Sequence, residues 1–173
     1  HETGTDRIAE AALKLDADIV VNIQGDEALV NPEHVDKVVS ELIDEPDLNV
    51  GILVNSFSKK NSPSDIKVVL NKYNDVMYLS RSDIPSDSRL SEPPMLKAYH
   101  IVPFRKDFLL KFAKWNKGSL EKIESNEYLR ILEYGERMRA VLVESDAVSV
   151  DTPDDLEYVR KEMPSDYWFQ MYK

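Results

Sequence analysis

Apolar residues recur at helical spacing over Ile8, Ala11, Ala12 and Leu15, with Thr5 and Asp6 as side-chain caps in front of them. This pattern predicts a short opening helix that ends at Asp16 to Asp18. Ile19-Val20-Val21-Asn22-Ile23 is short and β-branched, which predicts a buried strand, and it stops abruptly at the polar cluster Gln24-Gly25-Asp26-Glu27. Asn31 and Pro32 supply a cap and a first helical residue. Behind them the stripe Val35, Val38, Val39, Leu42 and Ile43 predicts a helix to about Asp44. A further strand follows over 50–55, and the succession strand, helix, strand predicts a parallel sheet with a right-handed crossover.

The pattern then changes. Residues 66–70 and 76–80 are apolar runs flanking the turn-rich segment Asn71 to Asp75, which predicts a β-hairpin and hence a mixed sheet. Residues 83–96 are rich in proline and serine without periodicity and are expected to form a long loop covering a site. A strand is predicted over 98–104, helices over 106–115 and 120–134, with Gly135 as a left-handed cap, and a strand over 138–143. Val148-Ser149-Val150 leads to Asp151, and Thr152-Pro153-Asp154-Asp155 starts a last helix that runs to about Met163. The chain is therefore expected to be one domain over 1–163. The aromatic tail 164–173, with Tyr167, Trp168, Phe169 and Tyr172, is expected to dock on a surface or a neighbouring subunit.

Composition narrows the partners. Lys and Arg number 22 against 32 Asp and Glu, a net charge of −10, and no basic run exceeds two residues, which argues against nucleic acid. Nucleotides remain open, because a metal ion can bridge acidic side chains to phosphates. The sequence has no cysteine, which excludes disulfides and thiolate chemistry. No apolar run approaches the roughly 18 residues of a membrane span, and no basic-then-apolar leader is visible. No membrane partner and a cytoplasmic location are expected. The opening His1-Glu2-Thr3-Gly4-Thr5-Asp6-Arg7 lacks a methionine and is polar from its first residue, so a fragment is expected.

Asp26 and Asp151 each stand just past a hydrophobic strand, and ligands of open α/β sheets bind beyond the carboxyl ends of strands. Carboxylates without nearby His or Cys suit Mg²⁺, which completes its shell with water and substrate phosphates. The alternative is that Asp26 merely ends a strand and Asp151 precedes a helix. Arg7, Lys67, Arg81 and Lys97 are candidate anion binders, or else solvated surface cations. His34 is expected to be exposed, and His100, within a strand, suits a structural role better than a catalytic one. The pair Asp16 and Asp18 precedes its strand, the wrong place for a phosphatase nucleophile. No phosphate-binding glycine loop or Ser-His-Asp order is present.

Five ordered blocks carry a resemblance: His1 to Arg7, Val21-Asn22-Ile23-Gln24-Gly25-Asp26-Glu27, Ile66-Lys67-Val68-Val69, Ser80-Arg81-Ser82-Asp83-Ile84-Pro85, and Val150-Asp151-Thr152-Pro153-Asp154-Asp155-Leu156. Together they resemble the 3-deoxy-manno-octulosonate cytidylyltransferases, or CMP-Kdo synthetases, over nearly the whole chain to Met163. The resemblance implies a Rossmann-like α/β nucleotidyltransferase core with a mixed sheet and a small β-hairpin extension, assembled as a homodimer. It implies transfer of CMP from CTP to a 3-deoxy sugar acid with release of pyrophosphate, for lipopolysaccharide or capsule biosynthesis. Asp26 and Asp151 match the family's Mg²⁺ ligands. Arg7, Gln24, Arg81 and Glu127 match residues around nucleotide and sugar acid, with Arg7 taken as catalytic. Lys67 and His100 are added to the substrate-binding set.

Three departures accompany it. The family begins upstream with a strand and an Arg- and Lys-bearing loop that cradles the triphosphate and reads cytosine; without that segment the 173 residues are not expected to bind CTP properly. Gly-Asp-Glu-Pro of the family is Gly25-Asp26-Glu27-Ala28 here. Ala98 stands where the family has a substrate-facing histidine, and Tyr128 where a glutamine often follows the glutamate matching Glu127. These last changes suggest a modified or aminated octulosonate, or a related nonulosonate. The alternatives are a sugar nucleotidyltransferase using another nucleotide, or a truncated, non-catalytic interaction domain.

Overall fold

In the computed structural model, residues 1, 3–90, 93–145 and 147–172 are described. The first helix, α1 (Gly4–Ala12), starts earlier than its predicted caps. Thr3 and Asp6 form the capping box, the Thr3 hydroxyl accepting from Asp6 N–H and the Asp6 carboxylate from Thr3 N–H, so Thr5 is carried inside the helix and fully buried.

After α1 come β1 (Ile19–Ile23), the two-residue β2 (Glu27–Ala28), α2 (Pro32–Asp44) and β3 (Gly51–Phe57). Helix α2 opens as predicted, with the Asn31 side chain accepting from Glu33 N–H at 2.9 Å. It buries Val38 and Leu42 on β3 at the point where Gly51 has no side chain; a Cβ there would stand 2.9 Å from Val38 Cγ2.

The hairpin β4 (Lys67–Leu70) and β5 (Val76–Ser80) pairs antiparallel as predicted. The Asn71 side chain shapes its turn by accepting from Tyr73 and Asp75 N–H, at 2.8 and 3.0 Å. The strand expected over 98–104 is instead two, β6 (Met95–Tyr99) and β7 (Ile101–Arg105), with His100 between them.

That break organises the sheet. Along one side both halves lie beside β3: β6 is antiparallel to it over 53–57, and Phe104 of β7 bridges Val50. The register slips by two between the contacts, so the extra length is taken up at His100. Along the other side β7 pairs with β1, Ile23 facing Ile101, whereas β6 pairs with β4, Lys67 facing Lys97. Hence β1 and β4 run in the same direction, one after the other, and a gap opens beside residues 98–100. The predicted parallel pair β1 and β3 exists with β7 inserted between its members. The pair in direct parallel contact is β3 with β8 (Arg139–Leu142) at the far edge.

Helices α3 (Lys106–Phe112), α4 (Ser119–Glu124) and α5 (Leu129–Glu133) cover one face. Phe104, Phe108, Phe112 and Trp115 pack there, and Trp115 stacks on Tyr134 at 4.2 Å. The single helix expected over 120–134 is broken. Ser125 sits at φ +48°, and the Asn126 side chain accepts from Tyr128 N–H, a local bond that competes with the helical ladder. The two pieces are held by the buried pair Glu121 and Arg130, with Nε to Oε2 at 2.7 Å and Nη2 to Oε1 at 2.5 Å. Gly135 ends α5 at φ +74° as predicted.

The last elements are β9 (Val148–Ser149), α6 (Pro153–Glu162) and, in the tail, a 3₁₀ turn (Met163–Ser165) and α7 (Tyr167–Met171). The tail is folded on the chain itself: Trp168 is half-buried and lines a cavity of about 330 Å³ with Leu29 and His34. His34 is 7 % exposed, contrary to expectation, because α2 turns its first turn under the tail. The predicted covering loop 83–96 includes residues 91 and 92, outside the described residues, and its last two residues belong to β6.

Candidate active site

Where β1 ends and β4 has not yet begun, a cleft of about 250 Å³ is lined by Gln24, Arg81, His100 and Glu127 together with Ser64, Ile66, Ser125, Asn126 and Tyr128. Four of the residues expected from the sequence to bind substrate meet there, brought from the end of β1, the end of β5, the β6–β7 break and the α4–α5 break. The larger groove of about 930 Å³ lies at the opposite end of β1, beside Asp16, Asp18 and Ile19, and none of the expected site residues lines it.

A directed chain of hydrogen bonds connects the walls of the cleft. Gln24 Nε2 donates to Asn22 Oδ1 at 3.1 Å, Asn22 Nδ2 donates to the Thr5 hydroxyl at 3.1 Å, and Thr5 donates to Glu127 Oε1 at 2.6 Å. Asn22 Nδ2 also reaches the Tyr128 hydroxyl at 3.2 Å. Tyr128 is fully enclosed, and burial, with the Glu127 charge, pushes its phenol well above the usual range, so it stays neutral. Its ring stacks on that of His100.

Arg81 is tethered by three carbonyls: Nε to Glu124 at 2.7 Å, Nη1 to Pro63 at 2.7 Å and Nη2 to Ser125 at 3.2 Å. A guanidinium has five N–H donors, so two remain for an anion. Lys67 does not reach the cleft. Its side chain is 0 % exposed and its three donors are taken by the carbonyls of Ser62, Asp65 and Arg81 at 2.6, 2.8 and 2.6 Å, with Asp83 Oδ1 at 3.7 Å. Of the other cations, Lys97 pairs with Asp65 at 3.1 Å, and Arg7 is at an exposed position of α1 outside the cleft lining.

The two aspartates stand at the end of a short ladder. β2 and β9 pair antiparallel, Glu27 facing Ser149, and Val150 N–H donates to Asp26 C=O at 2.9 Å, which sets Asp26 beside the strand that delivers Asp151. Both side chains are exposed. No cluster of three or more His, Cys, Asp or Glu suited to a metal is formed among the described residues. Asp26 immediately precedes β2 and Asp151 follows shortly after β9; exposed carboxylates are the donor type a hard ion accepts alongside water and phosphate.

Glu27, which the sequence did not single out, links this ladder to the cleft. It accepts from the Ser149 hydroxyl at 2.8 Å and lies 3.5 Å from His100 Nδ1. Burial pushes its carboxyl up, yet the His100 and Ser149 hydrogen bonds and the His100 charge outweigh that and hold it below the usual range.

The family profile described as Cytidylyltransferase matches residues 1–138. The chain belongs to the cytidylyltransferase family. It is 39% identical to the 3-deoxy-manno-octulosonate cytidylyltransferase of Geobacter metallireducens, over 92% of this chain and 68% of the relative. It is 41% identical to that of Solibacter usitatus, over 93% and 66%. The chain thus spans about two thirds of these relatives' length. The solved structure of CMP:2-keto-3-deoxy-manno-octonic acid synthetase complexed with CTP matches with TM-score 0.90 at 36% identity, over 95% of this chain and 69% of that one. HddC from Yersinia pseudotuberculosis matches with TM-score 0.64 at 12% identity, a likeness of fold alone. The α/β core with mixed sheet and hairpin extension matches that of the CTP-complexed synthetase structure.

Proposed function

We propose that the protein transfers CMP from CTP to a 3-deoxy-2-ulosonic sugar acid, Kdo or a modified relative, and releases pyrophosphate. The observation that carries this is the convergence of Gln24, Arg81, His100 and Glu127 on one cleft beside the Asp26 and Asp151 ladder, in a chain that matches a CTP-bound synthetase along 95% of its length.

The anomeric hydroxyl of the sugar acid attacks the α-phosphorus of CTP in line; the new C–O–P link forms as the bond to the bridging oxygen breaks and pyrophosphate leaves. Asp26 and Asp151 would hold Mg²⁺, which neutralises charge on phosphate oxygens and lowers the pKa of the attacking hydroxyl. The two unclaimed N–H donors of Arg81 suit the carboxylate of the sugar acid. Gln24 and Glu127, fixed by the chain through Asn22 and Thr5, orient its hydroxyls. Nothing covalent is asked of the protein, and the work is positioning and electrostatics.

A homodimer belongs to the same reading. The β4–β5 hairpin exposes Tyr73 and Met77, each 63%, the kind of apolar surface a second copy covers. A cytoplasmic location follows from the CTP requirement, and no helix among the described residues is long and apolar enough to cross a membrane. The test is pyrophosphate release by the full-length protein with Kdo and either CTP or UTP. Release with CTP alone supports the reading. Release with UTP alone assigns another nucleotide, and no release with either refutes it. Sedimentation equilibrium decides the dimer.

A further inference from the structure

Glu27 joins the two sides of the candidate site through one oxygen. Its side chain is 3 % exposed, and three groups meet at Oε1: the Ser149 hydroxyl at 2.8 Å, the His100 backbone N–H at 3.4 Å and His100 Nδ1 at 3.5 Å. Ser149 belongs to β9, two residues before Asp151, and Glu27 itself follows Asp26. His100 belongs to the β6–β7 break and lines the 250 Å³ cleft. A carboxylate withdrawn from water costs free energy unless it is well paired, and the groups that pair this one come from both sides.

His100 is held at an edge and on a face. The strand registers stop at Tyr99 and resume at Ile101, which leaves the His100 N–H free for Glu27. Tyr128 stacks on the ring with 6.4 Å between centroids, and the Tyr128 hydroxyl is fixed in turn by Asn22. A carboxylate beside Nδ1 favours the tautomer with its proton there, so Nε2 is the nitrogen left for a ligand. Nε2 has no hydrogen-bond partner among the described residues, and the side chain is 27 % exposed. We propose that Glu27 is a positioning residue for CMP transfer: it orients His100 so that Nε2 hydrogen-bonds the sugar acid, and it fixes that contact relative to the ladder that ends at Asp26 and Asp151. The proposal rests on the functional reading above, that a sugar acid occupies this cleft.

An imidazole oriented by a third group is a general device for presenting one ring nitrogen, and such contacts are loose in a site without substrate and tighten in the complex. The experiment is a double-mutant cycle on the full-length protein, measuring kcat and KM for Kdo and for CTP in wild type, Glu27→Ala, His100→Ala and the double variant. His100→Ala leaves Glu27 with the backbone N–H and Ser149. It is expected to lower kcat/KM for Kdo about 10-fold, the effect of one hydrogen bond to substrate, while KM for CTP stays within about twofold. Glu27→Ala is expected to lose about as much, and the double variant no more than about twofold beyond either single one. Glu27→Gln, whose amide oxygen accepts from the same donors, is expected to recover most of the loss.

Losses that multiply in the double variant mean that Glu27 does not act through His100, and they overturn the proposal. So does an equal loss for Kdo and CTP, the mark of a structural role, or a change within about twofold for Kdo in His100→Ala. If Glu27→Ala does not fold, Glu27→Asp, whose shorter side chain withdraws the carboxylate from His100, takes its place in the cycle. Absence of turnover in the wild type overturns the functional reading, and the proposal with it.

Discussion

Replacing Lys67 by methionine separates two roles for this residue. The sequence pattern offers a substrate-binding cation, whereas the structure shows a side chain with no exposure whose ammonium holds the carbonyls of Ser62, Asp65 and Arg81 at 2.6 to 2.8 Å. Those carbonyls belong to the loop before β4 and to the end of β5, so one charge fastens both ends of the hairpin that frames the cleft. Methionine fills the space of the aliphatic stem, and no large cavity term arises. It supplies no donor, however, and three carbonyls, that of Ser62 buried and those of Asp65 and Arg81 part-buried, lose the ammonium, as does Asp83. Hydrogen bonds to a charged group contribute about 1.5–3 kcal/mol each, but they are not additive, and removing one member of a buried charged arrangement costs about 3–5 kcal/mol. A loss of about 4 kcal/mol is therefore expected. For a chain of this length that lowers Tm by roughly 10 °C. Thermal unfolding followed by circular dichroism at neutral pH, with urea unfolding for the free energy, measures it. A Tm within about 2 °C of wild type, coupled with lost substrate affinity, would refute the argument and return Lys67 to the binding site.

Glu121→Ala leaves the Arg130 guanidinium buried without its carboxylate and is expected to cost about 3–5 kcal/mol in the same assay; a cost under about 1 kcal/mol would mean the pair is solvated. The pH dependence of Tm follows from carboxylates held below their usual range. Burial raises Asp65 and Glu124, but Ser62 and Lys97 on the first, and Arg81 N–H, Ser80 and Tyr78 on the second, outweigh it. The Thr152 hydroxyl and nearby backbone N–H groups lower Asp155. Their stabilisation is complete above the unfolded values near about pH 4 and is lost as pH falls through the lower folded ones. Tm should be flat from about pH 7 to about pH 5 and drop below about pH 4. Equal stability at pH 3 and pH 7 would contradict this.

What was legible in the sequence was local. The Asn31-Pro32 start of α2, the hairpin around Asn71, the Gly135 cap and the Thr152 start of α6 each follow from a few adjacent residues. The family resemblance went further and pointed to Gln24, Arg81 and Glu127, which line the cleft together with the separately added His100. Pairings between distant residues were not legible. The insertion of β7 between β1 and β3 depends on registers that no single segment encodes. Lys67 has the same sequence appearance whether its ammonium meets a ligand or three carbonyls. The break at Ser125 and Asn126 is hidden inside a helical apolar pattern, since neither residue forbids a helix, and it was this break that brought Asn126 into the cleft. Glu27 was overlooked because its partners, His100 and Ser149, lie 73 and 122 residues away.

On the proposed reading, CMP transfer takes place at this cleft and depends on Asp26 and Asp151, at the end of the β2–β9 ladder. Pyrophosphate release from CTP and Kdo by the full-length protein, in wild type, Asp26→Asn and Asp151→Asn at the same Mg²⁺ concentration, tests it most directly. Turnover is expected in wild type, with a loss on the order of 10²-fold or more in each variant and unfolding curves unchanged. Near wild-type turnover in both variants would contradict it.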